Sequence, residues 1–435
     1  MALSFRGGIH MDEHKSARSK ATQAMPAPAV VVIPMSMHIG AECKPLVAKG
    51  DTVLLGQKIG AADTPISAPV HASVSGKVLA VEPRIHPNGA KVMSVVIEND
   101  YQDTVHPSVQ AHGSLAALSA EEITDLAREA GVVGLGGAVF PTAAKIRSSV
   151  GKVETLIINC AECEPYITSG HRMMLECTTE ILDGVRFVMK ALGLTAAIIA
   201  VESNKFDVVK AFERALPKGG NITVKVVETK YPQGGEKQLV LAVTGKEVPP
   251  GALPSAVGCV VFNPETCLSV YRAAITGMPL ITRVVTVAGS AVANPKNLLC
   301  RIGTPVGELY AAAGGFRESP YKLIMGGPMM GTALTSLDAP VVKSTNALLA
   351  FSREEEHFSE NPTCIRCGRC SDACPVNLMP VYINMYYEKE MLDELVKLNV
   401  ADCIECGICT YVCPGRLHLA QSCRLAKQRT ANLKK

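Results

Sequence analysis

No tryptophan occurs in the 435 residues, and aromatic side chains make up only 4% of them. Reading nucleic acid calls for stacking rings beside a basic stripe, and with a net charge of only +3 that partner class is not expected. No apolar run approaches the ~18 residues of a membrane span. The opening stretch, MALSFRGGIHMDEHKSARSK, carries basic residues but no apolar segment of the kind a signal peptide needs. Disulfide-like spacing is also missing: of 16 cysteines, eight crowd into two tight runs and the other eight are scattered. A reducing compartment is therefore expected, and any membrane association must come through partner subunits. What is present is a 48% hydrophobic chain, long enough for about three domains at ~100–200 residues each.

The two runs are CIRCGRCSDACP (Cys364 to Pro375) and CIECGICTYVCP (Cys403 to Pro414), each C-x-x-C-x-x-C-x-x-x-C-P. Three thiolates of one run wrap one iron–sulfur cube, and the fourth is placed to ligate the other cube. The expected sets are Cys364, Cys367, Cys370 with Cys413, and Cys403, Cys406, Cys409 with Cys374. Zinc also takes C-x-x-C pairs, but has no use for a tight triplet with a distant fourth thiolate followed by Pro. Two [4Fe–4S] clusters pass single electrons, so the rest of the chain should feed or drain them.

The fold class expected is multidomain α/β and α+β. Residues 1–28 read as an extended arm, either disordered or docked. Over 29–112, short β-type runs (AVVVIPM, TVLLGQKIG, ASVSGKVLAV, KVMSVVIE) alternate with glycine turns and resemble a biotinyl/lipoyl-type barrel-sandwich. The hairpin tip, AADTPI (61 to 66), lacks the carrier lysine, so no prosthetic group is expected there. From 113 to 280, helices alternate with the strand candidates TLIINC, AAIIAVE, NITVKVVE and GCVVFN, starting from a capping box at Ser119 and Glu122. This alternation argues an open, Rossmann-like α/β sheet. A small α+β unit (281–345) and a helical double-cluster, ferredoxin-like domain (346–435) complete the chain.

Four polar stretches follow predicted strands or open helices: GVVGLGGAVFPTAAK (131 to 145), NCAECEPYITSGHR (159 to 172), KYPQGGEKQL (230 to 239) and FNPETC (262 to 267). Each alone reads as a solvated loop. Together they are expected to converge on one crevice at the carboxyl ends of the strands. Gly134, Gly136 and Gly137 permit close backbone approach to a phosphate or ring, and Lys145 adds a cation. Cys160 and Cys163 read as reduced thiols rather than a redox pair, the histidines as packing or surface residues, and MGGPMM (325 to 330) as a turn with core methionines.

Taken in order, FRGGIHMDEHK, GLGGAVFPTAAK, NCAECEPYITSGHRMMLE, KYPQGGEKQL, TGKEVPPGALPSAVG, IMGGPMMG and the two cysteine runs resemble the RnfC (RsxC) component of Rnf (Rsx) electron-transport complexes. The middle of the chain also resembles the flavin subunit of respiratory complex I. The resemblance implies FMN and NAD(H) sites, a β-grasp unit of the soluble-ligand-binding type near 281–340, ferredoxin as electron partner, and a peripheral place on the cytoplasmic face of a membrane complex that moves Na+ or H+. It implies flavin contacts for Gly134, Gly136, Gly137, Lys145, Asn159, Glu162, Asn263 and Thr266. Phe140, Tyr231, Gly234 and Glu236 are implied for the nicotinamide nucleotide or the loop that holds it. The sequence departs from the pattern at Leu135, Val139, Gly170 and FNPET. A flavin joins a two-electron hydride donor to one-electron cubes, and hydride transfer needs alignment rather than a side-chain acid or base, so no catalytic residue is assigned. Two alternatives stay open: a soluble NADH-dependent corrinoid reductase, and an electron-transfer module without flavin.

Overall fold

The computed structural model describes residues 3–355 and 359–431; residues 356–358 of the charged connector lie outside them. Its middle part holds a wholly parallel sheet in the order Ile222–Val227, Ala197–Glu202, Thr155–Cys160, Cys259–Phe262. The strands are near-continuous apolar runs because both faces are covered. Leu156, Ile158 and Val260 point to one side, packing with Ile181, Val185 and Leu268 of helices Thr178–Leu192 and Pro264–Thr276. Ile157 and Val261 point to the other, against Leu239 and Val243 of helix Glu236–Thr244. Truncating any of these fully enclosed side chains to Ala costs about 2–5 kcal/mol. The capping box is present, with Glu122 N–H donating to Ser119 Oγ at 3.2 Å and Ser119 N–H to Glu122 Oε2 at 2.7 Å.

Ahead of this sheet stand two small antiparallel sheets, one of Val30–Pro34, Lys91–Asn99, Gly76–Ile85 and Thr52–Val53, the other of Lys44–Pro45, Lys58–Ala61 and Val70–His71. Their alternating inward residues, including Val31, Ile33, Val95 and Ile97, share a core with the following α+β unit. That unit is a six-stranded sheet, and Ala347–Phe351 is an inner strand buried at every position, pairing parallel with Thr282–Ala288 and antiparallel with Lys322–Met325. The sheet thus runs past 345, the boundary that the charged residues after it suggest. Its edge strand, Gln23–Ala24, comes from the N-terminal arm. The arm lies on the molecule: Leu3 bridges Val227, Ile9 pairs with Tyr231, and Phe5 and Ala17 are buried.

In the C-terminal part, helices Pro380–Glu388, Leu392–Lys397 and Leu419–Thr430 close around Ile383, Leu395, Val400, Cys423 and Ala426. The apolar spacing between the cysteine runs therefore does mark helix. No helix among the described residues is long and apolar enough to cross a membrane.

Candidate functional site

The parallel sheet changes direction between Thr155–Cys160 and Cys259–Phe262, since the second and third strands lie to one side of the first and the fourth lies to the other. Such a switch opens a crevice at the carboxyl ends of the two strands. All four polar loops gather there. The glycine loop folds on itself, Gly134 N–H donating to Phe140 O at 2.9 Å. Leu135 N–H donates to Thr266 Oγ1 at 2.9 Å, and a Cβ added at Gly136 would sit 3.2 Å from Asn263. Asn159 Nδ2 donates to Gly234 O at 2.8 Å. Lys145 Nζ meets Glu236 Oε1 at 3.0 Å and stands 5.5 Å from the Phe262 ring centre. The Lys145–Glu236 side chains are 30% and 40% exposed, so the pair contributes little to stability and leaves the ammonium free to meet an anion. At Gly137, φ is +142° and nothing lies within 4 Å of where a Cβ would be, which leaves an open cradle against the backbone. Val139 takes φ +45°, costly for a β-branched residue, and its carbonyl accepts Ile39 N–H at 3.3 Å from the barrel-sandwich part.

Two sequence features acquire a reason. Glu162 Oε1 accepts Gly170 N–H at 2.7 Å, and a Cβ at 170 would lie 2.9 Å from that oxygen. Glycine at 170 thus makes room for the carboxylate. Leu135 is 3% exposed, its side chain turned into the core shared with the barrel-sandwich part.

Other residues enter that sequence reasoning passed over. Lys15 of the arm donates to the carbonyls of Glu162, Glu164 and Ile167 at 2.9, 3.1 and 2.6 Å and lies 3.7 Å from Glu162 Oε2. Burial pulls its pKa down while the Glu162 carboxylate opposes that shift. The arm roofs a cavity of about 250 Å³ lined by Lys15, Glu162, Cys163, Glu202, Asn204 and Tyr231, among others. Glu162 Oε2, Glu202 Oε1 and both ends of the Gln233 amide are buried with no hydrogen-bond partner. Buried polar atoms are nearly always bonded, so the carboxylates of the arm-roofed cavity, Glu162 and Glu202, keep acceptors left over for a polar guest. Glu164 is held by the N–H groups of Met329 and Met330 at 3.0 and 2.9 Å, and burial pushes its pKa up to about 7. MGGPMM is a turn, as expected, and one that clamps this carboxylate, but of its methionines only Met325 is core, Met330 being 53% exposed. Tyr231 lines the arm-roofed cavity with one edge and is otherwise enclosed. It is 2% exposed, its hydroxyl donating to Cys406 O at 2.8 Å, because the arm and the second cysteine run both close over its ring.

The two cysteine runs repeat in conformation as well as spacing. Arg366 and Glu405 both have φ +57°, Gly368 and Gly407 have +77° and +81°, and Asn377 and Arg416 have +56° and +57°. Such left-handed positions fold each loop into a concave cradle of N–H groups; Arg366 N–H points to Cys364 Sγ at 3.4 Å and Leu378 N–H to Cys374 Sγ at 3.3 Å. One apolar cavity is lined by Cys403, Cys406 and Cys409 together with Cys374 of the other run. That is the crossed set expected from spacing. A fifth thiol, Cys423, lines the same cavity. Cys364 and Cys367 of the other set are exposed.

Comparison with known proteins accords with this arrangement. Residues 3–102 match the RnfC barrel sandwich hybrid domain, 127–272 the Nuo51 FMN-binding domain, 284–333 the SLBB domain and 357–414 the 4Fe-4S dicluster domain. The C subunit of the Na(+)-translocating ferredoxin:NAD(+) oxidoreductase complex of Acetobacterium woodii is 44% identical, over 98% of this chain and 96% of its own. The chain belongs to the RnfC family. The proton-translocating counterpart from Clostridium ljungdahlii is 41% identical over 91% of this chain and 86% of its own. The C subunit of the ion-translocating oxidoreductase complex of Rhodobacter capsulatus is 43% identical over 98% and 83%. These relatives leave the corrinoid-reductase alternative without support, and the FMN-domain match does the same for a module without flavin.

For an RnfC protein, the residues present suit both groups. The crevice offers the Gly137 cradle and the Lys145 cation, as a phosphorylated flavin needs. The cysteine cavity offers the four sulfurs of the crossed set, with Cys423 beside them, in an apolar wall.

Proposed function

We propose that this chain is the NAD(H)-reacting subunit of a membrane-bound Rnf complex, exchanging electrons between NAD(H) and ferredoxin while the whole complex moves Na+ or H+. The single observation that carries the reading is the direct contact between the crevice and the cysteine cavity. Tyr231, on the loop that frames the crevice, is bonded to Cys406, which lines the cluster cavity. When bound, FMN would take electrons in pairs and release them singly, and [4Fe–4S] clusters would carry them one at a time.

Gly134, Gly136 and Gly137 bring backbone against the flavin, Lys145 meets its phosphate, and Asn159, Glu162, Asn263 and Thr266 fix the loops around it. Phe140, Gly234 and Glu236 border the nucleotide side, whereas Tyr231 spaces the crevice from the Cys403, Cys406, Cys409, Cys374 cluster. The Cys364, Cys367, Cys370, Cys413 cluster lies outermost, toward the electron partner, because Cys364 and Cys367 are exposed. We assign Rossmann-like character to 113–280, β-grasp character to the α+β unit, a lipoyl-type barrel-sandwich to 29–112 and a helical ferredoxin-like fold to the cluster domain. The chain sits peripherally on the cytoplasmic face, through partner subunits.

Reconstitution of the full chain with iron and sulfide, with and without FMN, tests this reading. NADH should reduce the clusters only in the sample that holds FMN. Equal cluster reduction in both samples, or a chain that retains no FMN, would overturn it.

A further inference from the structure

The two cysteine runs are copies displaced by 39 residues, so Ile365 answers Ile404, Arg366 answers Glu405 and Gly368 answers Gly407. Their loops share the same left-handed positions and so present the same face. In the second copy the chain itself covers that face. Ile404, Cys406 and Ile408 pack in one apolar cluster with Tyr231 and Met329, and a Cβ added at Gly407 would lie 2.8 Å from Met329 O. In the first copy the matched Ile365, Cys367 and Arg369 are all exposed, Ile365 by 64%. Nothing outside its own helical turn lies within 4 Å of a Cβ at Gly368. Tyr411, 53% exposed, stands on the turn Ile408–Tyr411, which packs on Arg369–Asp372. The charges differ as well. Glu405 is paired with Arg424 and Lys427 at 2.8 and 3.4 Å, whereas Arg366 has no ionic partner among the described residues. Neither has Arg369, which answers the buried Ile408, nor Arg416, which answers Asn377. Gly415 packs so closely on Thr363 O that no Cβ would fit, which sets Arg416 beside the first loop. The acid in that loop's helical turn, Asp372, pairs with none of the three arginines.

We propose that the exposed loop of the Cys364 set is the docking surface for an acidic face of another subunit of the complex, with Ile365 and Tyr411 as its apolar centre and Arg366, Arg369 and Arg416 as its basic rim. The proposal rests on the subunit reading given above. The second copy shows how this loop is used: it is closed over by a neighbouring surface of matching chemistry, apolar where Ile408 stands. Arginines in place of Ile408 and Glu405 call for carboxylates at the matched places on the occupant of the first copy. An apolar centre inside a polar rim is the usual layout of a protein interface, and Arg and Tyr are the residue types that most often carry its binding energy. A passing electron carrier makes a small contact, whereas lasting subunit interfaces are larger and more apolar. Two large apolar side chains left this exposed fit the lasting kind. Docking there sets the partner directly over Cys364 and Cys367, the exposed thiols of the outer set.

Rebinding of the reconstituted full chain to membranes whose complex lacks only this subunit tests this, with bound chain and iron content measured for each variant. Arg366→Glu combined with Arg369→Glu should weaken binding roughly tenfold or more, and Arg416→Glu alone should weaken it less. Arg366→Lys combined with Arg369→Lys, which keeps both charges, should stay nearer the parent. Lys218→Glu makes the same change of charge as Arg416→Glu on an exposed turn before strand Ile222–Val227, at the amino ends of the parallel sheet, and should bind like the parent. Parent binding should also fall as salt rises from ~0.05 to ~0.5 M. Parent-like binding by the double Glu variant with its iron retained would overturn the proposal, as would salt-independent binding by the parent or equal weakening by Lys218→Glu. Membrane binding left intact in variants that lose affinity for soluble ferredoxin would overturn it too, by making the surface a carrier's. Where the double Glu variant loses iron, Arg416→Glu and the parent's salt response decide. A parent that does not rebind at all would overturn the subunit reading together with this surface, whereas a binding parent indifferent to these changes overturns the surface alone.

Discussion

Lys15→Met isolates the force that fastens the N-terminal arm over the crevice. The substitution keeps most of the aliphatic stem and removes only the ammonium, whose side chain is 4% exposed and which serves three carbonyls and the Glu162 carboxylate. Removing one member of a buried ionic group leaves the others uncompensated, at a cost of about 3–5 kcal/mol. The arm's other anchors include individual hydrogen bonds, between Ile9 and Tyr231, Leu3 and the 226–228 segment, Gly8 and Ala373, and Glu13 with Tyr166 and Asn204, together with buried Phe5 and Ala17 and the paired strand Gln23–Ala24. The variant should therefore loosen the arm around Lys15, with Gln23–Ala24 still paired, rather than unfold the sheet. At ~1.4 kcal/mol per tenfold, arm opening should become roughly 100- to 5,000-fold more frequent. Hydrogen exchange at the Ile9 and Tyr231 amides, each bonded across the arm, reads this directly. Faster exchange there, with the Thr155–Cys160 strand unchanged, is expected. Parent-like exchange at both amides would refute the idea that Lys15 fastens the arm.

Three further outcomes follow from the same geometry. Gly137→Val places a β-branched side chain at φ +142° in the open cradle, and should cut FMN retention at least tenfold while both cluster signals persist; undiminished FMN content would count against a flavin at that loop. Cys413→Ala and Cys364→Ala should lose the same cluster signal and Cys374→Ala the other, whereas ligation within each run would make Cys374→Ala match Cys364→Ala. Burial raises Glu164 to about 7 from an ordinary 4.5, so the fold favours its protonated form. Its stabilising contribution is complete below pH ~4.5 and is lost as pH rises through about 7. Opening of the Met329–Met330 turn, corrected for intrinsic exchange, should thus increase from pH 5 to 8 in the parent and stay flat in Glu164→Gln.

How much of this was legible in the sequence divides along the range of the interactions. The gathering of Cys374 with Cys403, Cys406 and Cys409 was legible because the spacing sets the fourth cysteine of one run against the triplet of the other, and the cavity those four line follows it. Convergence of the four loops was readable because parallel strands deliver their carboxyl ends to one side. Strand Ala347–Phe351 was missed because its partners, Thr282–Ala288 and Lys322–Met325, lie far upstream on either side of it in the sheet, so no local pattern marks its membership. Lys15 lay inside a quoted motif, but its three carbonyl partners are about 150 residues away and invisible to periodicity. Tyr231 was read from resemblance as a nucleotide aromatic, and only the packing of a third segment, around Cys406, shows its ring enclosed. Cys423 had an available signal in the 39-residue repeat, where it breaks the match with Asn384.

Rapid mixing of the anaerobic, FMN- and cluster-loaded chain with NADH tests the central claim most directly. The crevice and the Cys406 contact predict loss of flavin absorbance first, then reduction of the Cys403-set cluster, then of the Cys364-set cluster. Cluster reduction that precedes flavin bleaching, or that starts at the Cys364 set, would contradict the account.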